Sequence, residues 1–387
     1  MPPIALNRRR FLGCSAAAGL ALSQGRVADA AGDPAPLRLA VIGLGTRGTT
    51  LLRTLLELPG ARVVAVCDSD TRHRERGAGI VERAKGARPE ALECPAQVFD
   101  RSDVDAVAVA LPCDLHAEVY RDALLAGKHL YAEKPLALTL AECGALEAAA
   151  GGSSSLAVHV GFQRRSNPRY REGVDLIRQG ELGRLVFGSA AWVSSNGPMN
   201  GHDDWLAHRA RSGDWMVEQA VHVWDVLHWV AGGPPERAYG QGLRDFFARE
   251  QPERDVTDHY SVQLFWPDGF HVSFLHSWVA PADDRFTGVT LQVMGEAGGF
   301  DFGSGALTFR DKGRPRQTLH PGVQADTRFA LQAFLDAARG DGTVPPPLTL
   351  AEARDATLTG LLVRKAVDER RVVTLDEIRA QAPSRPA

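Results

Sequence analysis

The chain has 387 residues, 44% of them hydrophobic and 24% charged, enough to bury the cores of two globular domains. Its formal net charge of −3 supplies no basic field for nucleic acid, so a small molecule is the expected partner. Basic residues are nearly all arginine, and the five lysines are Lys85, Lys128, Lys134, Lys312 and Lys365.

The first thirty residues read as an export signal. Asn7-Arg8-Arg9-Arg10-Phe11-Leu12 precedes a short apolar run through Leu22, and Ala28-Asp29-Ala30 supplies an A-x-A cleavage site. The paired arginines before Phe-Leu resemble a twin-arginine signal. The apolar run is too short to span a bilayer, so residues 1–30 are expected to leave a periplasmic or otherwise exported protein with no stable membrane anchor. Cys67, Cys94, Cys113 and Cys143 would remain; they have no CxxC spacing, so neither zinc nor a disulfide framework is indicated, and no metal is assigned.

Leu37 to Gly43 is a short, branched apolar run expected to form a buried strand. Gly43-Leu44-Gly45-Thr46-Arg47-Gly48 follows at once, then a helical pattern from Thr49 to about Leu58, then a second strand from Arg62 to Asp68. A G-x-G-x-x-G set between strand and helix, with an acid ending the next strand, is the dinucleotide fingerprint. Gly43, Gly45 and Gly48, with Thr46 and Arg47 in the same loop, would let a pyrophosphate approach the backbone and sit on the helix N-terminus. Asp68 would accept hydrogen bonds from the adenosine ribose and repel a 2′-phosphate, which favours NAD over NADP.

The alternation continues through strand Val104–Leu111, helix His116–Ala126, strand His129–Ala132, helix Thr139–Ala150 and strand Leu156–Val160. Residues 36–160 therefore read as a Rossmann domain, a doubly wound parallel sheet with its ligand crevice at the strand C-termini. At one such terminus, Ala132-Glu133-Lys134-Pro135 puts a scarce lysine where it can exchange a proton with an alcohol or carbonyl beside a nicotinamide.

Further along, Gly213 to Val230 reads as a buried amphipathic helix. Glu218, His222 and Asp225 recur at spacings of four and three, which puts them on one face. Buried polar side chains cost stability unless paired, so the line calls for a function. Arg164 and Arg165 end a strand near the expected cleft, and Arg164 is a candidate substrate ligand. His202-Asp203-Asp204 reads as a polar loop, with sugar or metal contact as the alternative. Trp192, Trp205 and Trp215 are candidates either for stacking on a sugar or for core packing. Alternating runs at Leu185–Val193, Tyr260–Trp266, His271–Trp278 and Val289–Gly295 are strands, and Leu350–Glu377 reads as helix.

These motifs resemble the Gfo/Idh/MocA oxidoreductases, the glucose–fructose oxidoreductase and inositol dehydrogenase family. The resemblance rests on the glycine loop, on Leu111-Pro112…His116, on Glu133-Lys134-Pro135 and on Gly161-Phe-Gln-Arg-Arg165-Ser-Asn-Pro168. It implies that Lys134 is catalytic, that Pro112, His116 and Glu133 flank the cofactor, and that the family's D-x-x-x-H-x-x-D helix falls on Glu218, His222 and Asp225, the last either structural, capping or pairing an arginine, or a candidate substrate ligand. It further implies a substrate and oligomerisation domain over 161–345, built on an open, mostly antiparallel sheet, and a homo-oligomer, dimer or tetramer. A C-terminal helical segment, 346–380, is expected to pack back on the Rossmann domain. Two departures stand out: Cys113 where the family often has asparagine, and Glu218 where it has the shorter aspartate.

The implied chemistry is hydride transfer on a sugar, sugar derivative or cyclitol. His222 would take the hydroxyl proton, Lys134 would favour the developing alkoxide, and Glu218 would orient the ring or bind a hydroxyl. Export adds a constraint, because free NAD is expected to be scarce outside the cytoplasm. The cofactor would then be captive and regenerated in place. Either a second substrate takes the hydride back, or a glycosidase or lyase oxidises its sugar transiently, eliminates and reduces again. A member that has lost its chemistry and only binds a sugar or partner is the third reading.

Overall fold

The computed structural model describes residues 35–152, 155–195, 197–199, 201–324, 326–340 and 348–381. The export-signal reading falls on residues 1–30, outside the described residues.

Six strands make the first sheet: β1 (Leu37–Ile42), β2 (Ala61–Cys67), β3 (Glu90–Leu92), β4 (Ala106–Val109), β5 (His129–Ala132) and β6 (Val158–Val160). All pairs are parallel, in the order β3-β2-β1-β4-β5-β6. β1 and β4 are apolar on both faces because helices cover both sides. Those helices are α1 (Thr46–Glu57), α2 (Thr71–Lys85), α3 (Pro95–Phe99), α4 (His116–Leu125) and α5 (Leu140–Gly151). The strand order reverses between β1 and β4, which opens the crevice at their C-terminal ends.

Two details differ from the sequence reading. α1 begins at Thr46, three residues early, because Gly45 serves as its N-cap. α2 was not expected at all. It opens on the polar run Thr-Arg-His-Arg-Glu-Arg and buries only Gly77, Ala78, Ile80 and Val81, too little apolar signal to show a period; the Asp70 side-chain cap and a left-handed Gly86 bound it instead.

The second domain enters through α6 (Pro168–Arg178) and β7 (Leu185–Val193). It continues with α7 (Arg209–Ser212), α8 (Trp215–Glu218) and α9 (Val221–Ala231), then β8 (Arg237–Leu243), β9 (His259–Phe265), β10 (His271–Ser277), β11 (Gly288–Gly295), β12 (Gly298–Asp301), β13 (Ala306–Phe309) and β14 (Gln317–Thr318). α10 (Asp326–Ala338), α11 (Leu350–Glu369), β15 (Val373–Thr374) and α12 (Leu375–Arg379) complete the chain. The nine-stranded sheet runs β14-β13-β12-β11-β7-β10-β9-β8-β15 and is antiparallel except for β7 with β10.

The expected division at the C-terminus is corrected in part. α10 is the element that returns to the first domain: Ala330, Leu331, Phe334 and Leu335 join the core of β1, α1 and Tyr131. α11 touches α5 but lies mostly on β8, α8 and α9. The helix expected over Leu350–Glu377 ends at Glu369, where Arg370 turns left-handed (φ 52°), and β15 then joins the second sheet.

Candidate active site

A cleft of about 1280 Å³ runs along the strand ends, walled by the glycine loop on one side and by the second domain on the other. The loop's geometry explains its glycines. A Cβ on Gly43 would lie 2.1 Å from the Ala110 carbonyl oxygen, and one on Gly48 would lie 1.7 Å from that of Gly43. Gly45, by contrast, faces open space and caps α1 without a side-chain hydrogen bond. The first N–H groups of α1 are thus left to meet an anion, and Gly43, Gly45, Thr46 and Arg47 all line the cleft. The residues present fit a dinucleotide. Gly48 holds the turn closed from beneath.

Asp68 ends β2 at the cleft, its Oδ2 accepting from the Leu44 N–H at 2.7 Å and its Oδ1 from the Asp70 N–H at 2.9 Å. Arg47 reaches across to Glu133, Nε to Oε1 at 2.6 Å, and to the Thr327 hydroxyl at 2.9 Å. Glu133 is buried, pinned from below by Gly161, whose Cβ would stand 3.1 Å from its carboxylate.

Lys134 follows, at the C-terminal end of β5. Its Nζ donates to Glu218 Oε1 at 2.5 Å and to the Glu218 carbonyl at 2.7 Å, with both side chains 14% exposed. Burial works to lower the Lys134 pKa, but the negative charge and hydrogen bond of Glu218 outweigh it, and the ammonium is held above its ordinary value. His222 lines the same wall, its ring edge-on to Phe162 and near-parallel to Trp192. Burial first, then the charges of Lys134, Arg164 and Arg47, push its pKa well below the ordinary histidine value. The pair is therefore a cation beside a neutral imidazole, which is an acid and a base side by side.

The line Glu218–His222–Asp225 is not one helical face. Gln219 and Ala220 break it between α8 and α9, and Glu218 and His222 reach the cleft from either side of the break. Asp225 does not. It is 1% exposed and accepts three contacts of 2.8–3.1 Å from Arg165, which also meets Glu352 and lies over Trp229. Of the two readings of Asp225, the arginine-pairing one matches the structure and the substrate ligand is corrected: it neutralises a buried arginine.

Arg164, half-buried, is not among the residues that line the cleft: it packs against Tyr170 and Trp192 and donates to the His222 carbonyl at 3.3 Å. His116 is buried between the carbonyl oxygens of Pro135, at 2.7 Å, and Leu111, at 3.0 Å, so it ties the two strand-end turns together and does not face the cofactor crevice. Pro112 and Cys113 do line it. Trp215 is core, against Trp278 and His276, while Trp205 lines the cleft.

The sequence reading missed several wall residues. Asp114 and Gln163 lie inside motifs already singled out, and Gln163 Oε1 is buried with no hydrogen-bond partner. His73 and Arg211 carried no local signal. Arg211 donates to the Asp203 carbonyl and approaches Asp114, 3.6 Å away, across the cleft.

Similarity to known proteins agrees with this geometry. Residues 37–162 match a model described as an oxidoreductase family with an NAD-binding Rossmann fold, and residues 170–301 match the Gfo/Idh/MocA C-terminal domain. Inositol 2-dehydrogenase 2 of Saccharopolyspora erythraea is 34% identical over 51% of this chain and 54% of that protein. A glycosyl hydrolase family 109 protein of Streptomyces coelicolor is 35% identical over 35% of this chain and 34% of its own length. The chain thus spans about half the length, or less, of the curated relatives it matches. The crystal structure of GenD2 from gentamicin A biosynthesis, in complex with NAD, shares the fold with a TM-score of 0.71 at 22% identity, covering 90% of this chain and 99% of that one. With both domain models matched in order and the strand-end lysine in place, the chain belongs to the Gfo/Idh/MocA oxidoreductase family.

Proposed function

We propose that the protein is a nicotinamide-dependent oxidoreductase that removes hydride from a ring CH–OH of a cyclitol or sugar. The observation that carries the reading is the meeting of Lys134, Glu218 and His222 on one wall, at the end of the cleft that begins with the glycine loop. When bound, the nicotinamide supplies the hydride acceptor. His222, neutral at physiological pH, takes the hydroxyl proton. Lys134 holds the oxygen and favours its developing negative charge. Glu218 fixes the lysine from two directions, which limits where the ammonium can point.

Asp68 supports NAD over NADP, because its carboxylate would repel a 2′-phosphate. The inositol dehydrogenase relative supports a cyclitol as substrate. Export by the twin-arginine route and a captive cofactor belong to the same proposal, as does a homo-oligomer through the outer sheet face, where Phe187, Tyr239 and Leu275 are exposed.

The test is to purify the mature protein, count the nucleotide released on denaturation, and follow nicotinamide absorbance with a panel of cyclitols and aldoses. Reduction by one of them supports the proposal. A fully loaded protein that no member of the panel reduces would sink it. The family 109 relative supports a second reading, transient oxidation with elimination. Release of aglycone from aryl glycosides without added NAD would select that one.

A further inference from the structure

At the rim of the cleft, beside the Asp68 assigned to the adenosine ribose, the two domains touch through Asp70, His73 and His202, to which the hydride-transfer reading gives no role. Asp70 and His73 come from the start of α2, and His202 from the second-domain segment 201–211. One ligand atom from each lies within 4.8 Å of the other two. The two imidazoles meet edge to face at 5.3 Å. Each also has a carboxylate at its far side: Asp68 Oδ2 is 3.6 Å from His73 Nδ1, and Asp203 Oδ1 is 3.7 Å from His202 Nε2.

Two imidazoles ringed by three carboxylates form a local surplus of electron-pair donors. The cation already on Asp70 is Arg72, whose side chain is 84% exposed and so is easily exchanged. Two nitrogens and a carboxylate suit a borderline divalent ion, not the all-oxygen shells of calcium or magnesium. Tetrahedral zinc with ligands at about 2.0–2.2 Å would space them roughly 3.4 Å apart. From a spacing within 4.8 Å, side-chain rotations that move the ligand atoms together by at most about 1.4 Å reach that value, and all three side chains are at least partly exposed. The carboxylates outside the set would then orient the imidazoles, as outer-shell acids commonly do.

We propose that Asp70, His73 and His202 form a divalent-cation site of the zinc class, which joins the segment 201–211 to the Rossmann domain across the cleft. The sequence reading assigned no metal and kept metal contact at His202-Asp203-Asp204 only as an alternative; His73, 129 positions away, carried no signal that could join it to that loop. The site does not depend on the reaction assigned above. Its consequence for that reaction is mechanical: ligands from both walls favour the closed cleft, and segment 201–211 already lines it through His202, Asp203 and Trp205.

The experiment uses tag-free, chelator-treated full-length protein and Co²⁺ as a spectroscopic probe. The expected result is one saturable equivalent per chain with the visible absorption of nitrogen-ligated cobalt, displaced by Zn²⁺. His202→Asn and His73→Asn should each weaken it at least tenfold. Zn²⁺ should raise the melting temperature of the wild type and not of His202→Asn, since only a bridged site couples the two domains. No saturable binding, or binding unchanged in both variants, overturns the proposal and leaves an adventitious ion only. The readout is metal binding with no substrate added, and it is made both on protein as purified and on protein freed of nucleotide, so its failure and that of the oxidoreductase reading are separate results.

Discussion

Glu218 and His222 stand at the wall of the cleft, whereas Asp225, further along the same polar line, is sealed against Arg165 behind it. Both regions hold an ion pair, Lys134–Glu218 in front and Arg165–Asp225 at the back. The front pair keeps 14% of each side chain exposed and faces space for a ligand; the back pair keeps 3% and 1%. A charge that solvent and substrate can reach can do chemistry. One that neither can reach only decides whether the helix packs. The same contrast holds for histidines: His222 reaches the cleft, while His228, two turns on, is buried against the Thr359 hydroxyl.

The sharpest way to break this comparison is Lys134→Ala. Turnover should fall by roughly 10³–10⁴-fold, with the denaturation midpoint little changed. A stability loss as large as the activity loss would move Lys134 to the structural side. Asp225→Ala should do the reverse. Leaving Arg165 buried and unpaired should cost about 3 kcal/mol or more in urea unfolding, with the folded fraction keeping its turnover within a few-fold. A catalytic defect without that destabilisation would restore Asp225 to the site.

Acid offers a third, smaller probe. Burial pushes His116 and His159 down to about 4 and His228 and His276 to about 3, against an ordinary value near 6.5. Unfolded, these residues take up protons below pH 6.5 that the folded protein refuses. Their stabilisation is therefore complete above pH 6.5 and is lost as pH falls toward 4, by up to about 1.4 kcal/mol per unit for each. Thermal unfolding between pH 7 and 5 checks this, and a flat profile would contradict the burial of these four histidines. While the protein remains folded, turnover in the oxidative direction should hold as pH falls, since His222 stays unprotonated well below the usual histidine range.

The smallest expected effect is Glu218→Gln. Turnover should drop by about tenfold. The alkaline limb of its pH profile should move to lower pH, because Glu218 is what holds the Lys134 ammonium up. An unmoved limb would mean that the 2.5 Å contact does not set the lysine.

Sequence alone determined the local features whose signals are short-range. The glycine loop, the strand-end Lys134 and the two-domain order are written in contiguous residues, and the structure keeps them. The strand expected over Tyr260–Trp266, His259–Phe265 in the structure, was legible because alternating burial prints directly into alternating residue type. What tertiary structure decided was which members of a periodic pattern face a ligand. Glu218, His222 and Asp225 look equivalent by spacing, but Gln219 and Ala220 interrupt the helix and Arg165 claims the last of them. His73 and Arg211 joined the wall only because separate domains close on one cleft. Such choices depend on partners far away in the chain, and a period of 3.6 residues carries no information about what lies opposite.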